Sequence, residues 1–182
     1  REVEEVLKRI EELIRRSEEE TREVNERTKK LAEDVRRLLE EVDRRSKKIA
    51  DEVRELLERI DDKDTARELV DRVVKKIERT ARELRKTVED VLREIKRLSE
   101  ELHKRNRTSV EDIRRLLKDV VDKRKDSKDL VRTVEELLKR NEEDLRRVNE
   151  HDKKLLEDLT RSLERSEERN KTILEKLKED LR

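Results

Sequence analysis

The chain has 182 residues, of which 58% are Asp, Glu, Lys or Arg, and it contains no Gly, Pro, Cys, Met or aromatic residue. Because tight turns, disulfides and base stacking depend on those residue types, the composition excludes sheet folds, disulfide frameworks and base-stacking proteins. The 53 basic and 52 acidic residues are mixed along the chain and leave a net charge of +1, which favours neither nucleic acid nor a membrane surface as a partner.

The first predicted helix covers about residues 2–60. Its apolar and small residues recur at alternating steps of three and four, which is the heptad pattern of a helix that packs against other helices along one side. Most other positions carry charged residues, as on a solvated helix face. The predicted stripe consists of Val3, Leu7, Ile10, Ile14, Ser17, Thr21, Val24, Thr28, Leu31, Val35, Leu38, Val42, Ser46, Ile49, Val53, Leu56 and Ile60.

A break follows at "DDKD", residues 61–64, where the stripe stops. Thr65 is followed three residues later by Glu68, and this capping-box spacing indicates a new helix start. We expect Asp64 or Thr65 to accept hydrogen bonds from the free backbone N–H groups of the first turn. The second predicted helix covers about residues 65–121.

The stretch "RNRTSVED", residues 105–112, offers an alternative break inside the second helix. Thr108 or Ser109 precedes Glu111 in another capping-box pattern. A break here would leave a helix of about 13 residues beside much longer ones, whereas the helices of one bundle are usually similar in length. We therefore favour a continuous helix and keep the break as the alternative.

The next break is "DKRKDSKD", residues 122–129, with Asp126 or Ser127 as the predicted cap. The third predicted helix covers about residues 127–181. Three helices of about 60 residues with short connections fold back on one another. The predicted fold is all-α: an up-down-up antiparallel three-helix bundle or coiled coil, forming a single domain over residues 1–182.

Polar residues interrupt the stripe of all three helices. In an antiparallel bundle, residues of the first and second helices lie level when their numbers sum to about 125, and those of the second and third when they sum to about 250. By this rule the interruptions form three layers, and His103 and Asn106 lie beside or within the stripe of the second helix. The predicted layers are Ser17 with Thr108 and Asn141, Asn25 with Ser99 and Asn149, and Ser46 with Thr80 and Asn170.

Two near-copies, "VNERTKKLAEDV" at residues 24–35 and "VNEHDKKLLEDL" at residues 148–159, relate the first helix to the third. Their offset is close to the spacing that brings these helices level, so we expect Asn25 and Asn149 to face each other. A buried amide without a partner costs about 1–3 kcal/mol, whereas a partnered one is nearly neutral. Such pairs would penalise a slipped register that an entirely apolar core would accept.

The chain resembles de novo designed helical bundles with buried hydrogen-bond networks. The features that carry the resemblance are the segments "NERTKKLAED" and "NEHDKKLLED", the level polar triples, the glycine-free turns "DDKDTARELV" and "KDSKDLVRTV", and the Glu/Lys/Arg surface. The resemblance covers the whole chain. It implies a very stable scaffold without activity. Some members of that class serve as oligomer modules or as helix-displacement switches.

The pattern favours neither catalysis nor metal binding. The carboxylate pairs lie on predicted solvated faces, and no Gly-rich turn exists to build an oxyanion hole beside a serine. His103 and His151 would lie about 6 Å apart along the axis, and with Asp152 or Glu150 they define an alternative zinc site. Because His151 corresponds to Arg27 of the upstream copy, off the stripe, we expect it to be exposed and His103 to join a polar layer or its rim.

The sequence therefore predicts a monomeric structural scaffold with no enzymatic activity, no cofactor and no required partner. A helical interaction module, either an oligomer subunit or a switch that exchanges a helix, is the alternative, because doubled apolar positions such as Leu38 and Leu39 leave room for self-association. A disordered or single-helix chain is a further alternative suggested by the high charge. No apolar run approaches the ~20 residues of a membrane span, and no targeting signal assigns a localisation.

Overall fold

The computed structural model describes residues 2–123 and 127–181, which form three long helices without any strand among these residues. Helix α1 spans Glu2–Arg59, α2 spans Lys63–Lys123 and α3 spans Lys128–Glu179. They contain 58, 61 and 52 residues, so α3 is shorter than predicted, and Leu181 lies in a turn that follows it. Over the residues described, none of the three has an apolar stretch long enough to cross a membrane.

Asp62 begins helix α2 as its N-cap. Its backbone carbonyl accepts a hydrogen bond from the N–H of Ala66, and its side-chain Oδ1 accepts one from the N–H of Asp64, both at 3.1 Å. The hydroxyl of Thr65 donates to Oδ2 of the same carboxylate at 2.8 Å. The predicted cap at Asp64 or Thr65 is therefore wrong: both residues are donors inside the first turn, and α2 begins at Lys63 rather than at residue 65.

Ser127 occupies the N-cap position of α3. It directly precedes the first helical residue, and its carbonyl accepts a hydrogen bond from the N–H of Val131 at 2.9 Å. Asp126, the other predicted cap, lies outside the described residues. Asp129 lies in the first turn, where the helix dipole favours a carboxylate.

Helix α2 is continuous through residues 105–112, so the alternative break does not occur. The hydroxyl of Thr108 donates to the carbonyl of Lys104 at 3.1 Å, an interior helical bond rather than a cap. Asn106 and Ile113 on either side are buried in the core. Packing of these neighbours overrides the local capping-box pattern, because tertiary contacts outweigh weak local preferences.

The contacts divide the chain into two compact units, and each unit contains a segment of all three helices. Unit 1 comprises the residues up to Lys30 together with Glu94–Lys154, and unit 2 comprises Leu31–Arg93 together with the residues from Leu155 onward. Burying each aliphatic core side chain contributes about 1.5–3 kcal/mol. A core cluster of unit 1 contains Ile10, Ile14, Ile113, Val120, Leu130, Val134 and Leu138, and one of unit 2 contains Ala50, Val53, Val70, Val74, Ile77 and Leu177.

The helix directions follow from the contacts within unit 1. Residue 17 of α1 contacts residue 106 of α2 and residue 141 of α3. Seven positions back along α1, Ile10 packs in one cluster with Ile113 and Val134, which lie further along α2 and further back along α3. Helix α2 therefore runs opposite to α1 and α3, which confirms the up-down-up three-helix bundle.

The buried stripe of α1 in unit 2 departs from the predicted stripe by one position at three places and keeps the predicted residues Val35, Val42, Ser46 and Val53. The predicted residues Leu31, Leu38 and Ile49 are only partly buried there. A helix that packs against two neighbours buries a stripe wider than two positions per heptad, and its centre drifts because the α-helix has 3.6 rather than 3.5 residues per turn. The residues that are fully buried instead are Ala32, Leu39 and Ala50.

Candidate functional site

Three buried polar side chains, one from each helix, meet in the core of unit 1: Ser17, Asn106 and Asn141. The Ser17 hydroxyl donates to Oδ1 of Asn106 at 2.8 Å, and Nδ2 of Asn141 donates to the same oxygen at 2.8 Å. The Ser17 hydroxyl also lies 3.4 Å from Oδ1 of Asn141. One amide oxygen on α2 thus accepts a hydrogen bond from each of the other two helices. We call these three residues the Asn106 network.

The network contains Asn106 where the first predicted layer had Thr108. Asn106 lies on the buried stripe of α2, four residues after the buried Leu102, whereas Thr108 is exposed. The Thr108 hydroxyl is bonded within its own helix. The assignment of Thr108 to a layer is therefore wrong, because equal number sums give the height of a residue along the bundle and not the face on which it lies.

The second predicted layer does not form. Asn25 and Ser99 are partly buried, Asn149 is exposed, and no hydrogen bond among the described residues joins the three. The stripe of α3 passes through Val148 to Asp152 and leaves Asn149 one position outside it. The expectation that Asn25 and Asn149 face each other is therefore wrong, and Oδ1 of Asn25 is buried without a partner.

The third predicted layer, in unit 2, is also incomplete. Ser46 and Asn170 are buried, but Thr80 is exposed and donates to the carbonyl of Lys76 at 3.0 Å. The stripe of α2 continues through Leu84 and bypasses Thr80, so that assignment is wrong. Within the described residues no hydrogen bond joins Ser46 to Asn170, and Oδ1 of Asn170 has no partner.

A polar cluster that the sequence pattern did not predict lies in unit 2. Buried Ser166 donates to Oδ1 of Asp43 at 2.5 Å, and Nη1 of Arg169 lies 3.4 Å from Oδ2. Ser166 belongs to the stripe of α3, whereas Asp43 follows Val42 of the α1 stripe and reads as a surface carboxylate. One sequence feature could have indicated this contact: Asp43 and Ser166 are 123 residues apart, which is close to the offset of the two near-copies.

His103 and His151 lie near Asp152 without forming a metal centre. His103 is partly buried, and His151 is exposed, as its match to Arg27 predicts. Nδ1 of His151 lies 3.9 Å from Oδ1 of Asp152, which is too long for a hydrogen bond. The described bonds of the Asn106 network do not include His103. Across residues 2–123 and 127–181, no three His, Cys, Asp or Glu side chains are grouped to hold a metal ion.

Asp152 is a buried carboxylate, 2% exposed, and neither oxygen has a hydrogen-bond partner among the described residues. Burial raises the pKa of Asp152 above its ordinary value, because the ionised group loses its hydration, and charge on His151 and His103 opposes the shift. Thr28 on α1 is completely buried, and its hydroxyl is also unpartnered. The two near-copies align Thr28 with Asp152, so their alignment could have indicated that these residues lie at the same level. The sequence pattern suggested Asp152 only as a metal ligand.

Comparison with known proteins identifies a fold. No protein-family model matches this sequence, and no curated protein matches it. A computationally designed three-helix bundle superposes on the chain with a TM-score of 0.83 at 18% sequence identity, and the alignment covers 99% of this chain and 90% of that one. At this level of identity the likeness establishes the three-helix-bundle fold.

Proposed function

We propose that the chain is a designed, monomeric structural scaffold without catalytic activity, in which buried polar contacts select one register of the three helices. The Asn106 network carries this proposal, because its hydrogen bonds join all three helices. A slip of one helix by a heptad moves its side chains by about 10 Å along the axis. Each buried polar group that loses its partner in this way costs about 1–3 kcal/mol, so the slipped registers are disfavoured.

The charged surface supports the same role. Arg97, for example, donates to Glu94 and Glu101 one turn away on its own helix, at 2.5 and 2.6 Å. Pairs at this spacing stabilise the helix that carries them. They occupy solvated faces, where a carboxylate lacks the dry surroundings that a general acid or base needs.

The decisive experiment replaces the whole Asn106 network with apolar residues. The triple variant Ser17→Ala, Asn106→Leu, Asn141→Leu is expected to unfold at an equal or higher temperature, because removing all partners together leaves no buried group unpaired. It is also expected to lose homogeneity, with several masses in light scattering or duplicated signals in an amide NMR spectrum. The parent chain should give one mass and one set of signals.

A matched control removes polar groups outside the network: Ser99→Ala, Thr108→Ala, Asn149→Ala. This control is expected to remain homogeneous at the mass of a single chain. The proposal fails if the network triple variant is as homogeneous as the control. It also fails if the network variant unfolds outright, because the polar contacts would then supply stability rather than specificity.

One observation favours a second candidate, a helical interaction module. An open groove of about 640 Å³ lies between α1 and α3 in unit 2, with Ala50, Asn170 and Ile173 among its lining residues. Light scattering over a dilution series separates the two candidates, since a module gives an oligomer mass that falls on dilution and a scaffold gives a constant single-chain mass.

A further inference from the structure

Three residues bring four unpartnered buried oxygen atoms into the core of unit 1. The atoms are Oδ1 of Asn25, Oγ1 of Thr28 and both carboxylate oxygens of Asp152. Thr28 and Asp152 have the same separation of 124 residues that lets Ser17 approach Asn141 in the same unit. They lie three helical turns further along α1 and α3, so the same register places them at one level. We call Asn25, Thr28 and Asp152 the acceptor cluster.

Thr28 differs from the other threonines in how its hydroxyl is used. Of the nine threonines in the chain, seven donate to the backbone carbonyl four residues back, and Thr65 donates to the carboxylate of Asp62. Thr28 does neither, although it is completely buried. Its hydroxyl is therefore turned away from its own backbone and is available to a partner on another helix.

The balance of donors and acceptors changes with one proton. When Asp152 is ionised, its two oxygens and the amide oxygen of Asn25 are acceptors, and the Thr28 hydroxyl is the one donor among the four buried atoms. Protonation converts one carboxylate oxygen into a donor. The two donors of Asp152 and Thr28 then equal in number the two acceptor oxygens that remain. A neutral carboxyl group therefore supplies the donor that the ionised cluster lacks. None of the four atoms is hydrogen-bonded to another in the structure, so side-chain rotation has to bring them together when the proton binds.

We propose that the acceptor cluster is a buried proton-binding site in which Asp152 carries the proton and Thr28 and Asn25 complete its hydrogen bonds. A metal cation fits less well, because Ca²⁺ takes about six to eight oxygen ligands and Mg²⁺ an octahedron, whereas this cluster offers four oxygens and a single negative charge. A proton also requires no cavity between the helices.

The titratable groups that act on Asp152 are His151 on α3 and His103 on α2. The residue of α1 at the level of Asp152 is Thr28, which does not titrate. Burial is the largest influence on Asp152 and raises its pKa, whereas a protonated imidazole lowers it. Because the folded pKa is raised, the folded chain binds more protons than the unfolded chain between the two pKa values. The stabilisation is therefore complete below the unfolded pKa and is lost as the pH rises through the folded pKa.

The direct test follows the ¹³C resonance of the Asp152 carboxyl group in the full chain during a pH titration. The expected midpoint lies above that of an aspartate in an unfolded peptide. A midpoint at or below the peptide value overturns the proposal, because the carboxylate is then ionised and satisfied in another way, for example by an ordered water. This measurement needs no substitution, so it does not depend on a variant that folds.

A second test compares urea unfolding of the parent chain with Asp152→Asn between about pH 4 and about pH 8. The amide of Asp152→Asn carries a permanent donor, so the parent midpoint is expected to fall relative to the variant as the pH rises. Glu150→Gln, an exposed carboxylate on the same helix, is the matched control and should track the parent chain at every pH. A constant difference between the parent and Asp152→Asn across this range contradicts the proposal.

Two further arms separate the proton from other sources of positive charge. Replacing choline chloride with NaCl, MgCl₂ or CaCl₂ at constant ionic strength is expected to leave the parent midpoint unchanged at neutral pH. A rise for one metal that Asp152→Asn abolishes overturns the proposal in favour of a metal site. In the double variant His103→Gln, His151→Gln, the Asp152 midpoint should stay level or rise, because the two imidazoles that lower it are gone. A fall to the peptide value in this variant would contradict burial as the cause of the raised pKa.

Discussion

The amide oxygen of Asn106 lies 2.8 Å from the hydroxyl of Ser17, a residue 89 positions earlier in the chain, and both side chains are buried. This oxygen also accepts the hydrogen bond from Asn141, so α2 supplies the acceptor to which both other helices donate. Loss of this one acceptor leaves the Asn141 amide without its partner and leaves the Ser17 hydroxyl with only the longer contact of 3.4 Å to Oδ1 of Asn141. The three positions of the network therefore differ in how much their removal should cost.

We expect Asn106→Ala to lower the free energy of unfolding by about 2–4 kcal/mol, because it leaves the buried Asn141 donor without a partner, removes the shorter hydrogen bond of Ser17 and leaves a small void. Asn149→Ala is the matched control, since Asn149 is exposed, and its effect should stay within about 0.5 kcal/mol. Chemical denaturation followed by circular dichroism measures both. Equal effects of the two substitutions would contradict a role for Asn106 as the shared acceptor.

The bond between Ser166 and Asp43 should contribute to the stability of unit 2. Ser166→Ala removes a donor to a carboxylate that is 19% exposed, and we expect a loss of about 1.5 kcal/mol, at the lower end for a hydrogen bond to a charged group. Ser46→Ala is the control in the same unit, because Ser46 is buried but makes no side-chain hydrogen bond among the described residues. Its effect should remain within about 0.5 kcal/mol in the same denaturation assay.

The N-cap of α2 should make stability sensitive to acid. The bonds from Thr65 and from the N–H of Asp64 hold the pKa of Asp62 below its ordinary value, so its stabilisation is present above the unfolded pKa and is lost as the pH falls through the folded pKa. Asp62→Ala should lower the melting temperature at neutral pH and change it little in acid. Asp62→Asn retains a good cap at both pH values, and Asp61→Ala should have no effect. A similar loss for Asp61→Ala would contradict the assignment of the cap.

The continuity of α2 can be tested with proline. Ser109→Pro should cost about 3 kcal/mol or more, because it removes an interior helical hydrogen bond and the ring clashes with the preceding turn. Lys63→Pro should be tolerated, since Lys63 is the first helical residue after the cap and its N–H has no partner inside the helix. The two unfolding free energies, measured side by side, would be similar if a helix began near residue 109.

Heptad periodicity predicted the three helices, their order and their antiparallel packing, because a long stripe of aliphatic residues has one favourable environment, the space between helices. The same reasoning predicted the exposure of His151. The residue that caps α2 was harder to predict, since "DDKDT" contains several residues whose side chains can accept hydrogen bonds from a helix N-terminus. Asp62 rather than Thr65 forms the cap, because its carboxylate accepts hydrogen bonds from both Asp64 and Thr65 at once.

The polar contacts were predicted less well because they depend on the rotation of each helix about its axis. A sum of residue numbers gives the height of a residue along the bundle but contains no information about that rotation. Thr80 and Thr108 have the right heights, but the stripe of α2 turns past them, and their hydroxyls bond to their own backbone. Asp43 was not predicted, and Asp152 was considered only as a metal ligand, for a different reason. In a chain so rich in carboxylates, nothing in the residue type separates a buried aspartate from a solvated one.

The fixed amide of Asn141 gives this molecule an internal spectroscopic probe of alignment. The chain contains five asparagines and no glutamine, so its side-chain NH₂ groups produce five pairs of signals in a ¹⁵N correlation spectrum. The Asn141 pair, held against the Asn106 oxygen inside the core, should exchange with solvent water far more slowly than that of the exposed Asn149. Any sliding of one helix past another would erase that contrast before the circular dichroism changed, since a displaced helix is still a helix.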